Sequence, residues 1–505
     1  MLVSQREVIV RPPLEFLRQQ ELAAGPVSLG MEETSEEEET VRTTRLKSLR
    51  ELIRGWSRRI CRPLARAGAL ALLALAPTEA HAAVDSEAQF ILNTLAFLVW
   101  GALVMWMAAG FTMLEAGSVR TKNASMICLK NIGLYSIAGL TFYFIGYNLM
   151  YVGVGEGGLI GALRLLYGTS AAEVQLLGGD AEAAAEVIGN SHAVMSDWFF
   201  QMVFVATTAS IVSGALAERV KLWSFFVFIA VLTAFIYPIV GAWTWGGGWL
   251  SAMGFKDFAG STIVHSTGGW AALAGALVVG PRKGKFRDDG SVKLTPPSNV
   301  PAVTLGVFIL WLGWFGFNGG SQLALSGAVD AVAVANIFTN TNLAAAAGVV
   351  TAILISRPIL GRIDLMAGLN GTLGGLVAIT AAPDIVSHLW AVVIGAIGGA
   401  VCVSAMKFLE SLRVDDVVGA VPAHLFCGVW GTLAVCIAGG GSFGVQLLGI
   451  VVIGAFAFGT SLLLWYVLKW TMGARVSANV EAHGQDVGEL GIEAYPEFVL
   501  LPEED

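Results

Sequence analysis

Long apolar runs alternate with short polar connections along most of this chain, from Ser86 to Thr471. Each run holds about 20 residues or more, enough for an α-helix to cross the roughly 30 Å hydrocarbon core of a bilayer. Backbone polar groups in lipid must be satisfied internally, so such runs predict helices. The predicted spans are residues 88–114, 126–152, 197–217, 221–244, 258–280, 299–319, 331–355, 364–382, 386–406, 418–438 and 443–471. The pattern predicts an all-α polytopic membrane protein with eleven transmembrane helices.

The composition agrees with a membrane protein. Of 505 residues, 55% are hydrophobic and 13% are charged, whereas soluble proteins carry about 25% charged residues. The 61 glycines suit close packing of membrane helices. The acids behind the net charge of −8 concentrate in the two terminal segments, so nucleic acid is not an expected partner. Four of the five cysteines lie in predicted spans without metal-binding spacing, and we interpret them as packing residues.

The N-terminal region divides into two predicted segments. Residues 1–57 are polar and include the acidic run from Glu36 to Glu39, which predicts a disordered extension. Residues 58–82 combine arginines, an apolar stretch and the sequence Ala80-His81-Ala82, a pattern typical of a cleaved signal peptide. Its distance from Met1 leaves two alternatives open: a translation start downstream at a non-methionine codon, or an uncleaved cytoplasmic extension. The predicted membrane domain is then residues 83–472, followed by a polar tail at 473–505.

The basic residues between the spans predict the orientation, because cytoplasmic loops carry an excess of lysine and arginine. Sixteen of them fall on one side: Arg120, Lys122, Lys130, Arg219, Lys221, Arg282, Lys283, Lys285, Arg287, Lys293, Arg357, Arg362, Lys407, Arg413, Lys469 and Arg475. The other side has only Arg164 and Lys256. We therefore predict a cell (inner) membrane protein with its mature N-terminus outside and its tail in the cytoplasm. The long acidic loop at 153–196 is then external.

Two histidines lie deep in predicted spans, each eight residues after an aspartate. Asp257 begins the fifth span at the outer face, and Asp416 begins the tenth span at the inner face. At about 1.5 Å per residue, His265 and His424 each lie ~12 Å inside a core of ~30 Å, so both are near the midplane. Asp257 is too far along the axis to touch His265, and the expected partner of His265 is His424.

The same two spans suggest an internal repeat. They are five spans apart and run in opposite directions, and each histidine is followed four residues later by a glycine, Gly269 or Gly428. Two inverted five-helix halves would place the substrate path at their interface. The alternative, for each histidine alone, is a core residue hydrogen-bonded to a neighbouring carbonyl. A pair at matched depth favours a shared pathway that relays a proton or binds a small polar solute.

Aromatic residues surround the predicted path on its outer side. Phe200 and Phe204 lie one helical turn apart, as do Phe317 and Ser321, and Trp245 opens a glycine run. Aromatic faces bind cations, and stacked rings close a narrow pore by excluding water. The alternatives are ordinary helix packing and, for Trp245, an interfacial aromatic belt. Asp257 could bind a cation, but we favour a helix cap that shapes the mouth indirectly.

At these positions the sequence resembles the ammonium transporter family (Amt/Mep, with the Rh proteins as relatives). The resemblance runs from about Ala88 to Pro496 and excludes the first 85 residues and the external loop. The matching stretches are residues 115–123 (EAGSVRTKN), 214–219 (GALAER), 245–248 (WGGG), 257–265 (DFAGSTIVH), 313–321 (GWFGFNGGS), 413–416 (RVDD) and 424–428 (HLFCG). Ser321 and both histidines match the Amt branch, whereas Gly419 stands where some bacterial members carry an acid.

The resemblance implies a set of roles for these residues. It implies a homotrimer with one pore per subunit, eleven spans and an external N-terminus. It implies an outer ammonium site formed by Phe200, Phe204, Trp245 and Ser321, with Asp257 as its structural support. Phe204 and Phe317 would form a gate, and His265 and His424 would line the pore. A PII-type signal protein is an implied partner at the cytoplasmic face, and no cofactor or metal is implied.

The sequence therefore predicts an ammonium transporter rather than an enzyme. An ammonium ion recruited outside would lose its proton, since a charge enters a narrow apolar pore only at high cost, and ammonia would pass the histidines. The proton would either return outside or cross separately. A second hypothesis is an ammonium sensor that signals through a bound cytoplasmic partner, because only a short tail follows the last span. A third, an intramembrane metalloenzyme, lacks a third ligand beside the histidines.

Overall fold

A computed structural model describes Lys47, Ser48, Glu51 and residues 84–498 of the chain. Lys47, Ser48 and Glu51 are helical. The rest of the predicted extension at 1–57 and the predicted signal peptide at 58–82 lie outside the described residues, as does the end of the tail. These assignments stay predictions.

Nine helices of the described region are long and apolar enough to cross a membrane. They are α1 Ser86–Ser118, α2 Thr121–Tyr151, α3 Val194–Ala215, α4 Leu222–Trp243, α5 Ser261–Val279, α6 Val300–Gly320, α7 Ala328–Leu360, α9 His388–Ser411 and α11 Phe443–Thr471. Two shorter apolar helices, α8 Leu365–Ile379 and α10 Val421–Ile437, occupy the eighth and tenth predicted spans. The fold is that of an all-helical, multi-pass membrane protein.

The outer surface of the bundle is apolar, as contact with lipid requires. On α1, Ile91, Leu95 and Trp106 are each more than half exposed, while Phe97 and Met107 on the opposite side are buried. Both sides of the helix are therefore hydrophobic, one against the protein and the other outward. This explains why amphipathic periodicity is weak and why run length is the informative sequence signal.

Glycines allow helices α1 and α6 to pack closely against each other. Helix α1 packs along α6, and a Cβ atom added at Gly306 would lie 2.5 Å from the amide nitrogen of Leu114 and 2.7 Å from the carbonyl oxygen of Gly110. No side chain larger than hydrogen fits such a separation. The glycine content noted in the sequence therefore has a direct packing function here.

The fifth and tenth helices start later than the apolar runs predict. Helix α5 begins at Ser261 instead of residue 258, and α10 begins at Val421 instead of 418. Each opens with a six-residue π-helical turn, Ser261–Ser266 and Val421–Phe426. The assumption of a regular α-helix from each aspartate to its histidine was therefore wrong, although the histidines still lie deep in the protein.

The polar tail docks on the end of the bundle that carries Arg120, Arg219, Arg282 and Arg475, which we call the basic face. The carboxylate of Asp486 accepts hydrogen bonds from the backbone amides of Ser125 (2.9 Å) and Met126 (2.8 Å) at the start of α2. These amides are unpaired at a helix N-terminus, where a carboxylate is favoured by the helix dipole. The tail is thus held by specific polar contacts.

Candidate functional site

His265 and His424 meet at the centre of the bundle. Their Nδ1 atoms lie 3.2 Å apart, and their ring planes are inclined by 24°. Both side chains are buried, at 0% and 2% exposure. One Nδ1 must carry a proton and the other must accept it, so each ring's tautomer depends on its partner. The Nε2 atom of His265 has no hydrogen-bond partner among the described residues.

A carboxylate cap at the N-terminal end of its helix holds His265 in place. The two oxygens of Asp257 accept hydrogen bonds from four successive amides: Gly260 (3.1 Å), Ser261 (2.7 Å), Thr262 (2.8 Å) and Ile263 (2.9 Å). Asp257 thus caps the helix as the sequence predicts, and its oxygens are fully used by the backbone. The chain turns into the helix at Gly260, whose φ of 107° is disfavoured for residues with a Cβ.

The second histidine is positioned by the same local structure. Asp416 accepts hydrogen bonds from the amides of Gly419 (3.0 Å) and Val421 (2.7 Å) at the start of α10. Gly419 has a φ of 82°, and an added Cβ would lie 2.9 Å from Oδ1 of Asn370. Glycine is therefore required at this position, both for the backbone conformation and for the contact with Asn370.

Aromatic rings form a continuous column from the end of the bundle that carries Trp245 to the histidines. Phe204 stacks on Phe317 at 4.0 Å between ring centroids, and Phe317 lies 5.3 Å from the ring of His265. Above them, Phe204 contacts Phe200 at 4.8 Å and Trp245 at 6.0 Å. Phe204 and Phe317 are both buried, at 1% and 0% exposure. A charged solute would have to displace these rings and lose its hydration to reach the histidines.

Two hydrogen bonds order the part of this column that is farthest from the histidines. The indole Nε1 of Trp245 donates to the backbone carbonyl oxygen of Asp257 (2.9 Å), so the tryptophan is attached to the residue that caps α5. The hydroxyl of Ser321 donates to the carbonyl oxygen of Phe317 (2.9 Å). Because its only proton is used there, the oxygen of Ser321 remains available as an acceptor.

A small cavity lies beyond His424, on the side away from the aromatic column. Its volume is about 10 Å³, which is room for about one water-sized molecule. His424, Phe111, Glu115 and Asn370 are among the residues that line it. The space next to His424 is therefore lined in part by an ionisable side chain, that of Glu115.

Glu115 belongs to a buried polar cluster that sequence reasoning missed. Its Oε2 accepts hydrogen bonds from Ser213 Oγ (2.6 Å) and Asn131 Nδ2 (3.2 Å), and Oε1 has no partner among the described residues. Lys130, 1% exposed, donates to the carbonyl oxygen of Ser213 (2.8 Å) and interacts electrostatically with Glu115. The available signal is a lysine inside the predicted span 126–152 and an acid directly after the span 88–114, whereas the orientation argument assigns Lys130 to the loop charges.

A second cluster of charged residues lies at the basic face, where ion pairs connect neighbouring segments. Arg282 pairs with both carboxylate oxygens of Asp415 (2.8 and 2.9 Å), and Arg120 pairs with Glu218. Burial opposes ionisation of Asp415, but the hydrogen bonds and charges of Arg282 and Arg219 outweigh it and hold the pKa of Asp415 well below its usual range. Asp415 directly precedes the cap residue Asp416, so this cluster helps to fix the start of α10.

The described residues contain no group of three or more histidine, cysteine, aspartate or glutamate side chains that could hold a metal ion. The histidine pair is surrounded by aromatic rings, including Trp314 at 4.9 Å from the ring of His265. What this arrangement offers a solute is one narrow, mostly apolar path with hydrogen-bonding groups at its centre. Such a path is chemically suited to a small, neutral, polar molecule.

Comparison with known proteins agrees with this geometry. A model of the Ammonium Transporter Family matches residues 95–495. The ammonium transporter Amt2 of Archaeoglobus fulgidus is 40% identical over 438 residues, which are 81% of this chain and 89% of that protein. A putative ammonium transporter of Synechocystis sp. is 40% identical over 444 residues, 85% of this chain and 96% of that protein.

Solved structures give the same result. A sensor Amt protein superposes with a TM-score of 0.72 at 37% sequence identity, covering 80% of this chain and 100% of that chain. The crystal structure of Candida albicans Mep2 superposes with a TM-score of 0.67 at 26% identity, covering 78% of this chain and 89% of that chain. The likeness therefore extends over about four fifths of the chain and is not confined to a single motif.

Proposed function

The chain belongs to the ammonium transporter family, and we propose that it carries ammonium nitrogen across the membrane along the path that runs to His265 and His424. The observation that carries this proposal is the aromatic column ending at the histidine pair, whose Nδ1 atoms are 3.2 Å apart. A column of rings rejects hydrated ions, and a buried imidazole pair binds a small molecule through hydrogen bonds.

The outer site is formed by Phe200, Phe204, Trp245 and Ser321. Ammonium is a cation with four N–H donors, and it gains from aromatic faces and from an acceptor oxygen. Ser321 supplies the acceptor, because its own proton is donated to Phe317. Asp257 supports the site through the indole of Trp245 instead of touching the ion, since four backbone amides occupy its carboxylate.

The proton is lost before the gate formed by Phe204 and Phe317. Moving an ion into an apolar interior without compensating groups costs far more than moving the neutral molecule. Ammonia then passes the rings and exchanges hydrogen bonds with His265 and His424. The proton has two routes. If it returns outside, transport is electroneutral; if it crosses separately along the histidines, transport is electrogenic.

We extend the proposal to the topology and the assembly. The eleven apolar helices cross the membrane as two inverted halves, with the N-terminus outside, the basic face in the cytoplasm and one pore per subunit. This is supported by the matching starts of α5 and α10, each with an aspartate cap, a left-handed glycine and a π-helical segment that contains its histidine. The subunit forms a homotrimer, and a PII-type protein docks on the cytoplasmic face.

Uptake of radiolabelled methylammonium tests the proposal. Expressed in cells that lack ammonium transport, the chain raises uptake well above the empty vector, and unlabelled ammonium competes. Uptake at the vector level, with the protein present in the membrane, contradicts the proposal. In proteoliposomes, an ammonium-dependent current that disappears in a His265→Asp variant supports the electrogenic route, and a current that persists without either histidine rules it out.

A second candidate function is ammonium sensing through a bound partner. It is supported by the likeness to a structure named a sensor Amt protein and by the tail, which is held on the basic face by Asp486. A sensor that does not need transport keeps its signal when the histidines are replaced. If the signal is lost together with uptake, transport is the primary activity.

A further inference from the structure

A cavity of about 380 Å³ opens on the basic face, away from the histidine path. Five positively charged side chains line it: Arg120, Arg282, Lys283, Lys285 and Lys293. No carboxylate is among its lining residues. This volume lies in the range of small-molecule sites, which is about 300–1,000 Å³.

The connection between α5 and α6 is folded so that two of the lysines come together. Phe286 and Val292 form an antiparallel bridge, and the amide of Lys293 donates to the carbonyl oxygen of Lys285 (2.8 Å). Lys285 and Lys293 are therefore neighbours across a short hairpin. Like charges opposite each other in an antiparallel pair are destabilising, so this loop holds its lysines together against their repulsion.

The positive charge of the cavity is only partly balanced by the protein. Arg282 and Arg120 pair with Asp415 and Glu218, which lie behind the cavity wall. The lysine side chains form no ion pair within the described part of the chain. Burial lowers the pKa of Lys285, and although Asp415 raises it, the charge of Arg282 lowers it further. An anion bound in the cavity would stabilise the charged form of Lys285.

The general excess of basic residues on one side of a membrane protein does not explain this arrangement. Arg362 pairs with Asp364 (2.7 Å) and Lys407 pairs with Glu410 (3.0 Å), and both basic side chains are more than half exposed. These are ordinary solvated loop charges. At the cavity, by contrast, the cations converge on one concavity that also contains the hydroxyls of Thr121 and Thr295.

We propose that this cavity binds a phosphate monoester. A dianionic phosphate group offers three acceptor oxygens to several lysines and to the outer edges of Arg120 and Arg282. The ligand is either a soluble phosphorylated metabolite or the headgroup of an anionic lipid, since basic pockets at the cytoplasmic side of membrane helices bind such headgroups. The site is separate from the ammonium path, so the inference stands independently of the transport function.

The ligand would bind beside the docked tail. The amide of Lys283 donates to Oε1 of Glu481 (2.7 Å), and Glu481 is paired with Arg475 (2.8 Å). One wall of the cavity is thus connected to the tail through a single residue. Binding can be measured on the full chain with the tail in place.

Direct binding measurements distinguish the two sources of phosphate. Calorimetric titration of glycerol 3-phosphate into the full chain in phosphatidylcholine nanodiscs tests for a soluble ligand. Retention of phosphatidic acid over phosphatidylcholine, followed by native mass spectrometry, tests for a headgroup. We expect at least one probe to bind the wild type, and a Lys285→Ala/Lys293→Ala double variant to bind that probe at least tenfold more weakly.

Matched variants keep the test decisive. Arg357→Ala/Lys469→Ala removes two positive charges predicted on the same face but outside the cavity, and we expect its affinity to stay within twofold of the wild type. Lys285→Arg/Lys293→Arg keeps the charges and should retain binding. Failure of both probes to bind the wild type overturns the proposal, as does an equal loss of affinity in the cavity variant and the Arg357 control.

Discussion

The Nδ1 atoms of His265 and His424 lie 3.2 Å apart although 159 residues separate them in the chain. Each ring is presented by a helix that starts with an aspartate cap and a left-handed glycine. The two helices thus begin with the same local structure. Because the imidazoles share one proton between their Nδ1 atoms, a change to either ring alters the hydrogen bonding of the other.

The ring stack of Phe204 and Phe317 is expected to exclude water and ions. Replacement of Phe317 by alanine removes the ring that stacks at 4.0 Å on Phe204. We predict that Phe317→Ala produces an ammonium-independent ion current in proteoliposomes, because a hydrophobic constriction blocks ions only while it is dry. Phe315→Ala is the control, since Phe315 lies on the same helix but stacks on Phe338. Equal currents in the two variants would argue against a gate.

The buried pair of Glu115 and Lys130 is expected to be important for stability. Glu115→Gln removes the negative charge that interacts electrostatically with the buried ammonium group of Lys130, so we expect it to lower the unfolding temperature. The double variant Glu115→Gln/Lys130→Met removes both charges and should recover much of this loss. Thermal unfolding of the purified variants measures the coupling. Additive effects of the two substitutions would show that the side chains do not interact.

Gly419 is required for the backbone that presents His424. An alanine there adopts a left-handed conformation at a cost of roughly 1–2 kcal/mol, and its Cβ lies 2.9 Å from Oδ1 of Asn370. We expect Gly419→Ala to lower both the unfolding temperature and methylammonium uptake. Gly459→Ala serves as the control, because Gly459 is helical with no other atom within 4 Å of an added Cβ, and it should be neutral or stabilising by up to ~1 kcal/mol. Similar losses in both variants would contradict this explanation.

The ion pair of Asp415 and Arg282 predicts a pH dependence with a defined sign. The folded-state pKa of Asp415 lies below its unfolded value, so its contribution to stability is fully present above the unfolded pKa of about 3.9 and is lost as pH falls towards the folded pKa. Asp415→Asn should therefore cost about 3–5 kcal/mol at neutral pH. The difference between wild type and variant should narrow below about pH 4. Unfolding curves recorded across this pH range measure the difference in unfolding free energy between wild type and variant. A difference that widens in acid would contradict the prediction.

Much of the architecture could be predicted because the relevant signals are local. Run length identifies the helices, since a membrane helix is apolar on all sides and its extent follows from the solvent. The position of Asp257 before a helix predicts a cap, and in the structure four backbone amides donate hydrogen bonds to its carboxylate. The pairing of His265 with His424 follows from their matched depth in helices that run in opposite directions.

Other features depend on contacts between distant segments and leave no local signal. Phe258 and Ala259 do not extend α5 at its N-terminus, because their amides donate hydrogen bonds to the carbonyl oxygens of Ala381 and Thr380 at the end of α8. An apolar run cannot reveal this competition for backbone hydrogen bonds. The pairing of Lys285 with Lys293 across a hairpin is similar, since their spacing suggests only a basic loop.

Uptake of radiolabelled methylammonium by proteoliposomes tests the central claim most directly. The comparison is between the wild type and the single variants His265→Leu and His424→Leu. Each is reconstituted at equal protein content, and each variant must elute from size-exclusion chromatography as the wild type does. Leucine fills the space but provides no hydrogen bond, so we predict that either substitution lowers the initial uptake rate at least tenfold. Uptake within twofold of the wild type in both variants would contradict a path through the histidine pair.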